Sequence, residues 1–202
     1  MPTATLDIEH ACASDLGRYR DELLAVYADA YADKVESPFF TPERYWERVE
    51  AYATRDGYGL VLGRVDGELV GYAMGFTLPA GSAWWKGLLT PVDPALTTED
   101  GHRTFALTYM MLRVAYRRRG YARALHDALL KARPEQRAAL LVLPDNIPAR
   151  TAYLAWGWYQ IGELQPFPDA PVYEAMVLKL GNGRNPEPPS EPFVVDHRID
   201  GS

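Results

Sequence analysis

The sequence predicts an α/β domain built on a mixed β-sheet, and two features of the chain carry that prediction. Segments with strand-like apolar patterns alternate with segments whose apolar residues recur at helical spacing, an order typical of α/β domains. One antiparallel hairpin interrupts the alternation at Asp66-Gly67, a dipeptide that tolerates the positive φ angles of a tight turn. We therefore expect a sheet that combines parallel and antiparallel strands.

The first half of the chain predicts a strand, two helices and the hairpin. Residues 3–9 alternate as a short strand does, and residues 15–32 carry leucine, tyrosine and valine at helical spacing. The Thr-Pro-Glu sequence at 41–43 supplies a capping hydroxyl, a proline suited to the first helical position and an acid for the first turn of a helix that reaches Thr54. The two strands of the hairpin follow at residues 59–76.

The second half begins with a long irregular segment, residues 79–103. Loops of this length inside a compact domain are uncommon and are usually functional or mobile. Strands and helices then alternate again. They are predicted as a strand at 104–115, a helix at 121–132, a buried strand beginning at 138, a helix at 147–156 and strands at 158–164 and 172–180.

The length and composition predict one domain, residues 1–180, followed by a tail. A chain of 202 residues is long enough for one substantial domain and short for two. Residues 181–202 are rich in proline, glycine and polar side chains, so they bury too little apolar surface to offset the entropy of ordering. We expect a disordered tail, with the apolar trio at 193–195 as the one segment able to dock.

Charge and cysteine content restrict the location and the partners. The net charge of −6 gives no general attraction to nucleic acid, and no run approaches the ~20 apolar residues that span a bilayer. The N-terminal segment has no basic region before an apolar stretch, and the single Cys12 cannot form an internal disulfide. We expect a cytoplasmic protein without nucleic-acid, membrane or metal partners. We also expect His126, in the helix predicted at 121–132, to be a surface residue rather than a catalyst.

Three consecutive arginines stand directly before the helix predicted at 121–132. A helix N-terminus presents amide N–H groups without intrahelical partners and a partial positive charge. Gly120 removes the side chain that would keep a ligand from that backbone, and guanidinium groups add planar donors for phosphate. Solvated surface charge is the alternative, and the arginines alone do not decide between the two.

Two spaced motifs, Arg117-Arg118-Arg119-Gly120-Tyr121-Ala122 and Asn146 with Ala149, Tyr153, Gly157 and Trp158, resemble those of the GNAT superfamily of acyl-CoA-dependent N-acetyltransferases. The phosphate loop of that family reads Gln or Arg, two residues, Gly, one residue, then Gly or Ala. In this chain it is Arg117-Arg118-Arg119-Gly120-Tyr121-Ala122. The second signature, an Asn after a central strand with Ala, Tyr and a Gly-aromatic pair at fixed distances, is Asn146, Ala149, Tyr153, Gly157 and Trp158. The resemblance covers roughly residues 3–180 and implies a mostly antiparallel central sheet with a splayed strand pair and flanking helices.

The resemblance also implies acetyl-CoA as the cofactor and assigns residues to its parts. In such proteins the phosphates of coenzyme A rest on the arginine loop, while the pantetheine arm pairs like an extra strand beside Met110 and Leu112. A splayed gap that ends near Asn146 holds the thioester, and a main-chain N–H near Leu112 stabilises the oxyanion. Tyr153 occupies the position whose side chain typically protonates the departing sulfur, so the implied reaction is direct transfer to an amine.

The sequence departs from the family where the usual general base stands. Many relatives carry a Glu three residues ahead of the position of Leu112, but this chain has Tyr109 there. The substitute groups in the sequence are Glu99, Asp100, His102 and Glu36. Ordered water or an acceptor that is already neutral would also serve. Because the Glu is missing, a second hypothesis stays open, in which the protein is a sensor or interaction module that binds coenzyme A without turnover. The retained Tyr153 argues against this hypothesis.

The acceptor expected from the sequence is a primary amine on a small cationic molecule, since the acidic balance and the carboxylates of Glu36, Glu99 and Asp100 would attract cations. The aromatic pairs Phe39-Phe40 and Trp84-Trp85 would line its pocket, and each pair would serve equally well in packing. A protein lysine or N-terminus is the alternative acceptor, although the segment 79–103 favours a partly lidded pocket over an open groove. Members of the family are often dimers, which leaves a homodimer open.

Overall fold

The computed structural model describes residues 5–34 and 37–181 and confirms the predicted α/β architecture. Within these residues seven strands form one sheet: β1 Asp7–Ala11, β2 Gly59–Val65, β3 Glu68–Thr77, β4 Thr104–Leu112, β5 Arg137–Val142, β6 Tyr159–Leu164 and β7 Tyr173–Lys179. The helices are α1 Arg20–Ala30, α2 Pro42–Ala53, α3 Pro94–Thr97, α4 Tyr121–Leu130 and α5 Ile147–Ala155. The prediction for the tail at 182–202 lies outside the described residues.

Two regions differ from the sequence prediction in their bounds. The first strand lies a few residues later than 3–9, and the helix predicted from residue 15 is a 3-10 segment, Ala13–Tyr19, that continues into α1. The segment 79–103 is not irregular throughout, because it contains the 3-10 segment Ala83–Gly87 and the short helix α3. Each of these begins at a local cap, where the side chains of Ser82 and Asp93 accept hydrogen bonds from backbone N–H groups.

The sheet is mostly antiparallel, with one parallel junction at its centre. The strand order is β1-β2-β3-β4-β5-β7-β6, and only β4 and β5 run parallel. Their ladder covers three residue pairs, residues 104–106 against 137–139. Beyond these pairs β4 stays on β3 and β5 stays on β7. The expected splayed pair is therefore confirmed as β4 and β5.

Helices cover both faces of the sheet. On one face, α1 and α2 pack on β2, β3 and β4 in a core that contains the fully buried Tyr45 and Tyr72. On the opposite face, α4 and α5 enclose a second core with Leu125, Tyr153 and Trp158. The hairpin predicted at Asp66-Gly67 joins β2 to β3, and both turn residues have positive φ angles, 50° and 82°. No helix in residues 5–34 and 37–181 is long and apolar enough to cross a membrane.

A buried polar network fastens the segment 79–103 to the junction of β4 and β5. Arg137 on β5 pairs with Glu99 at 2.8 Å and donates to the Thr104 hydroxyl of β4 at 2.7 Å. The same carboxylate oxygen of Glu99 accepts hydrogen bonds from Thr104 and from the Trp85 indole N–H. Glu99 and Arg137 are 6% exposed each, so this ion pair is shielded from water. The network therefore holds the three-pair ladder together from the side.

Candidate functional site

A cavity of about 480 Å³ opens on the face of the sheet that carries α1 and α2. Its floor is formed where β4 leaves β5, by Leu107, Thr108, Tyr109 and Leu141. Its walls are supplied by four segments: α1 with the loop after it, α2, the start of the segment 79–103 and the loop between β6 and β7. The volume lies within the range of small-molecule sites, which is roughly 300–1,000 Å³.

A β-bulge in β4 lies at the floor of the cavity. Tyr109 pairs with Met74 of β3 and Leu107 pairs with Gly75, so Thr108 is the extra residue on its strand. The Thr108 hydroxyl donates to the Met74 carbonyl at 3.2 Å. Bulges bend the strand that carries them and increase its twist. The bulge therefore accounts for β4 turning away from β5 at this point.

The remainder of β4 turns backbone polar groups toward the gap. The N–H of Arg113 donates to the Val70 carbonyl at 2.8 Å, and alternate residues of an antiparallel strand face its partner. Met111 therefore faces β3, while the N–H and C=O groups of Met110 and Leu112 point to the side from which β5 has diverged. These two residues are the ones that the resemblance assigns to the pantetheine arm.

The arginine loop after β4 has the backbone shape of an anion site. Arg118 and Gly120 have positive φ angles of 61° and 81°, and α4 begins at the next residue. A Cβ added to Gly120 would meet nothing within 4 Å, so open space lies in front of its backbone. Among the described residues, no backbone carbonyl accepts from the N–H groups of Arg118, Arg119, Gly120 or Ala122. Successive free amides in such a turn form a concave anion-binding surface.

The three arginine side chains of this loop are exposed. Arg117 donates to the carbonyls of Leu112 and Ala30 at 3.4 Å each, and Arg119 donates to the Ala115 carbonyl at 3.1 Å. In the part of the chain that the structure describes, none of the three forms an ion pair. Their positive charge is therefore available to a ligand.

Helix α5 places Tyr153 in the core on the opposite face from the cavity. Asn146 caps the helix, because its side-chain oxygen accepts from the Ala149 N–H at 3.3 Å. Tyr153 is 6% exposed and packs edge-on against Trp158, with ring centres 5.8 Å apart. Burial raises the pKa of the Tyr153 hydroxyl, and the charge of Tyr31, a wall residue of the cavity, raises it further. Tyr153 therefore keeps its proton at neutral pH.

The prediction that His126 is a surface residue is wrong. Its ring is 3% exposed, and Nε2 accepts a hydrogen bond from the Trp158 indole N–H at 3.0 Å. Nδ1 lies 2.8 Å from an Asp127 carboxylate oxygen and carries the ring proton in this arrangement. Burial lowers the pKa of His126 against the opposing effect of Asp127. The neutral imidazole joins α4 to Trp158, three residues after the end of α5. The apolar face of α4, with Leu125 and Leu129, is the signal in the sequence that could have indicated its burial.

Tyr109, at the position of the usual base, is bonded to an arginine. The Nε of Arg48 donates to the Tyr109 hydroxyl at 2.8 Å, and its Nη1 donates to the Phe39 carbonyl at 3.2 Å. Burial raises the pKa of Tyr109, although Arg48 opposes the shift. Burial likewise raises the pKa of Tyr31 to about 12. Within the described lining of the cavity there is no Asp, Glu or His, so these residues offer no base that titrates near neutrality.

The structure separates the predicted acceptor residues. Phe39, Phe40 and Trp84 line the cavity. Trp85 instead packs beside Leu164 in the core and donates to Glu99. Of the two roles that the sequence left open, Trp84 therefore has the one in the cavity and Trp85 the one in packing.

The predicted substitute bases lie elsewhere. Glu99 is taken up by its buried ion pair with Arg137, which corrects the expectation that it serves as a base. Asp100 and His102 stand in an exposed turn in which the Asp100 carboxylate accepts from the His102 N–H at 2.8 Å. Glu36 lies outside the described residues.

Arg48 is the site residue that the sequence analysis missed. It sits on α2 between Tyr45 and Val49, both of them fully buried, and one turn before Tyr52. A charged residue inside an apolar helical stripe is the signal that would have drawn attention to it.

Comparisons with known proteins agree with this geometry. The family model of the acetyltransferase (GNAT) family matches residues 21–158, so the chain belongs to that family and is an acyltransferase by class. The resemblance found in the sequence is thereby confirmed. None of the curated protein sequences matches the chain significantly.

Solved structures share the fold at low sequence identity. A GNAT-family acetyltransferase from Streptococcus agalactiae has a TM-score of 0.63 and 15% identity, covering 88% of this chain and 98% of its own. An acetyltransferase from Thermus thermophilus has a TM-score of 0.60 and 17% identity, covering 89% and 100%. The PaiA N-acetyltransferase from Thermoplasma acidophilum, solved with coenzyme A, has a TM-score of 0.53 and 11% identity, covering 87% and 99%.

Proposed function

We propose that the protein is an acetyl-CoA-dependent N-acetyltransferase acting on the primary amine of a small molecule. The observation that carries the proposal is the course of β4. This strand runs from the floor of the cavity, at the Thr108 bulge, past the outward-facing Met110 and Leu112, to the arginine loop. One strand thus connects a site for an acceptor, a row of backbone hydrogen-bonding groups and a site for phosphates.

Each part of acetyl-CoA has a matching group on this path. The free amides and arginines of the loop 117–122 would take the phosphates, and the outward N–H and C=O groups of Met110 and Leu112 would pair with the pantetheine amides. Asn146, at the start of α5, lies at the end of the gap on the side of β5. The coenzyme A complex of the PaiA enzyme supports this cofactor for the fold.

The chemistry would take place where the gap reaches the cavity. The acceptor nitrogen attacks the thioester carbonyl carbon, the C–S bond breaks, and the departing sulfur takes the proton of Tyr153. A backbone N–H turned into the gap would stabilise the oxyanion of the intermediate. Since Tyr153 is buried and its pKa is raised, its hydroxyl is protonated and can donate a proton to the sulfur.

The enclosed shape of the cavity favours a small acceptor over a protein segment. Arg44 pairs with Asp169 at 2.7 Å and so ties the loop between β6 and β7 to α2, which are two of the walls of the cavity. The segment 79–103 bounds another side with residues 79–84. A lysine on a folded protein would need an open approach, as the sequence analysis anticipated.

The first test of the cofactor site is thermal unfolding with acetyl-CoA. Ligand at ~100 times its dissociation constant adds about 2.7 kcal/mol to the stability. For a domain of this size we expect the Tm to rise by roughly 5–10 °C. The same measurement on an Arg117→Ala, Arg119→Ala variant should show a smaller rise, because two phosphate-facing charges are gone.

The matched control removes two exposed arginines elsewhere, Arg18→Ala with Arg20→Ala. It changes the net charge equally and should keep the full shift. An equal loss in both variants would reduce the loop to a contribution of general charge. No shift in the unaltered protein would end the proposal of a coenzyme A site.

The pH dependence of turnover tests the absence of a protein base. If the acceptor loses its proton to water, kcat/KM should rise with pH toward the pKa of the amine itself. The raised pKa of Tyr153 means that the protonated acid persists as the pH rises, so no falling limb is expected below about pH 10, the ordinary pKa of tyrosine. Initial rates with one amine from pH 6 to 10 record the rise and test for the absence of a fall. A plateau that begins near pH 6–7 would instead reveal a base that titrates near neutrality.

A further inference from the structure

The cavity contains a positive charge that no described carboxylate contacts. Arg48 is half-buried, and its guanidinium lies 4.8 Å from the centre of the Phe39 ring. Its hydrogen bonds go to a phenol and to a backbone carbonyl. A described carboxylate that feels its charge is Asp169, whose pKa Arg48 helps to lower, but Asp169 is bonded to Arg44 and forms no ion pair with Arg48. By contrast, Arg44, one turn earlier on the same helix, has its ion pair with Asp169.

The charge of Arg48 persists in this setting. Burial disfavours the charged guanidinium, but the electrostatic interaction and the hydrogen bond with Tyr109 outweigh burial, and the pKa of Arg48 is raised. A half-buried charge without a counter-ion is costly for a fold unless a ligand supplies the opposite charge. A second arginine, Arg55, lies on the lining and is exposed, so the described charges that face the cavity are both positive.

We propose that the acceptor is an amine that also bears a carboxylate, of the amino-acid class with an apolar or aromatic side chain, and that Arg48 binds the carboxylate. This inference rests on the proposed function and specifies its substrate. It reverses the expectation of a purely cationic acceptor, since that expectation depended on acidic groups that the described lining does not contain.

The position of Arg48 relates the carboxylate to the reacting amine. Arg48 contacts Tyr109, which follows the bulged Thr108 on the floor where the thioester would enter. A carboxylate on the free guanidinium edge would place a nearby amine over the floor. The side chain would lie among the rings of Phe39, Phe40 and Trp84. Guanidinium binds carboxylate through paired, charge-assisted hydrogen bonds, which fix orientation as well as affinity.

The transfer leaves this carboxylate unchanged. The neutral amine nitrogen forms a bond to the acetyl carbonyl carbon, the C–S bond breaks, and the sulfur leaves as the thiol with the Tyr153 proton. The nitrogen loses its surplus proton to water, and the Tyr153 phenolate takes a proton back from water, which restores the acid. The products are the N-acetyl amino acid and coenzyme A, so no oxidant or reductant is required.

The test compares amines that share a side chain and differ in the carboxylate. Rates are calculated per neutral amine, because the carboxylate also affects the pKa of the amine. Thiol release from acetyl-CoA is measured with L-phenylalanine, L-phenylalaninamide and phenethylamine, and with the matched set built on L-methionine. Spermidine serves as the purely cationic acceptor. We expect kcat/KM to be roughly 10- to 100-fold higher for the amino acids than for their amides, as charged hydrogen bonds of this kind allow.

Variants at Arg48 then assign the preference to one side chain. In Arg48→Met the ratio of kcat/KM for an amino acid to that for its amide should fall toward one, whatever the change in the absolute rates, and Arg48→Lys should retain part of the preference. A merely structural role for Arg48 would lower both rates in parallel and leave their ratio unchanged. Arg123→Met is the matched control, because it also removes one arginine with a carboxylate partner but lies on α4, across the sheet from the cavity, and should leave the ratio intact.

A carboxylate on the acyl group of the donor is the other source of the same chemistry. Succinyl-CoA is therefore compared with acetyl-CoA, using phenethylamine as acceptor. A preference for succinyl-CoA that disappears in Arg48→Met would assign the carboxylate to the donor and overturn the inference for the acceptor. Faster turnover of spermidine or phenethylamine than of any amino acid would overturn it as well. Failure of the proposed function is distinguishable, because acetyl-CoA would then neither raise the Tm nor release thiol with any amine.

Discussion

Replacing Tyr153 with phenylalanine is expected to lower kcat roughly 100- to 10,000-fold, the range for loss of a positioned general acid. The affinity for acetyl-CoA should change little, because the ring that packs against Trp158 is retained. Within the described residues the Tyr153 hydroxyl makes no protein hydrogen bond, so its removal also leaves no buried partner unsatisfied. In the proposed mechanism the hydroxyl supplies a proton, whereas the folded structure depends on it little.

The measurement pairs steady-state rates with thermal unfolding. Tyr159→Phe is the control, since Tyr159 lies on β6 with 42% of its surface exposed. An unchanged Tm together with a large fall in kcat would identify the hydroxyl as the proton donor to sulfur. If Tyr153→Phe turned over at the rate of the unaltered protein, Tyr153 would lose its role, and a water molecule would have to supply the proton.

Replacing Arg137 with methionine is expected to destabilise the fold by about 3–5 kcal/mol, the cost of leaving a buried carboxylate without its partner. For a domain of this size the Tm should fall by roughly 6–20 °C. Glu99 would lose its cation while one of its oxygens is already buried without a partner among the described residues. Arg123→Met is the control, because its ion pair with Asp127 is exposed and exposed pairs contribute about 0.5 kcal/mol.

A double-mutant cycle separates the ion pair from the packing around it. Glu99→Gln alone should also destabilise, since it leaves the Arg137 charge uncompensated. The double variant, Glu99→Gln with Arg137→Met, should be more stable than the sum of the two single effects predicts. Additive effects would show that the two side chains act independently, contrary to their 2.8 Å contact.

Much of the fold could be predicted from local patterns. The hairpin at Asp66-Gly67, the cap of α2 at Thr41 and the alternation after residue 104 each depend on neighbouring residues alone, and each is present. The arginine loop and Tyr153 were found through motifs with fixed spacing. In the structure the first motif leads into α4, and the second begins at the cap of α5. The short helices in 79–103 were missed, because a single capping side chain decides each of them.

The parts that could not be predicted depend on contacts between distant segments. The sequence placed Glu99 near the site by its proximity to β4, but its partner Arg137 comes from another strand 38 residues away. The role of Arg48 depends equally on Tyr109, which lies 61 residues further along the chain. A titratable residue can be recognised locally as a candidate, whereas its pairing, and therefore its availability to a ligand, is a property of the folded chain.

Among the described residues, the short ladder between β4 and β5 is the only strand pairing that joins the two parts of the sheet. Four strands lie on one side of it and three on the other, joined by three residue pairs whose first members are Thr104 and Arg137. From Ala106 to Leu112 the strand extends as a lever of ~20 Å at the usual rise per residue. A small rotation at the pivot therefore becomes a much larger change in the width of the opening. The buried ion pair of Glu99 and Arg137, which adjoins this pivot, would therefore be the place where the width available to the acyl group is adjusted.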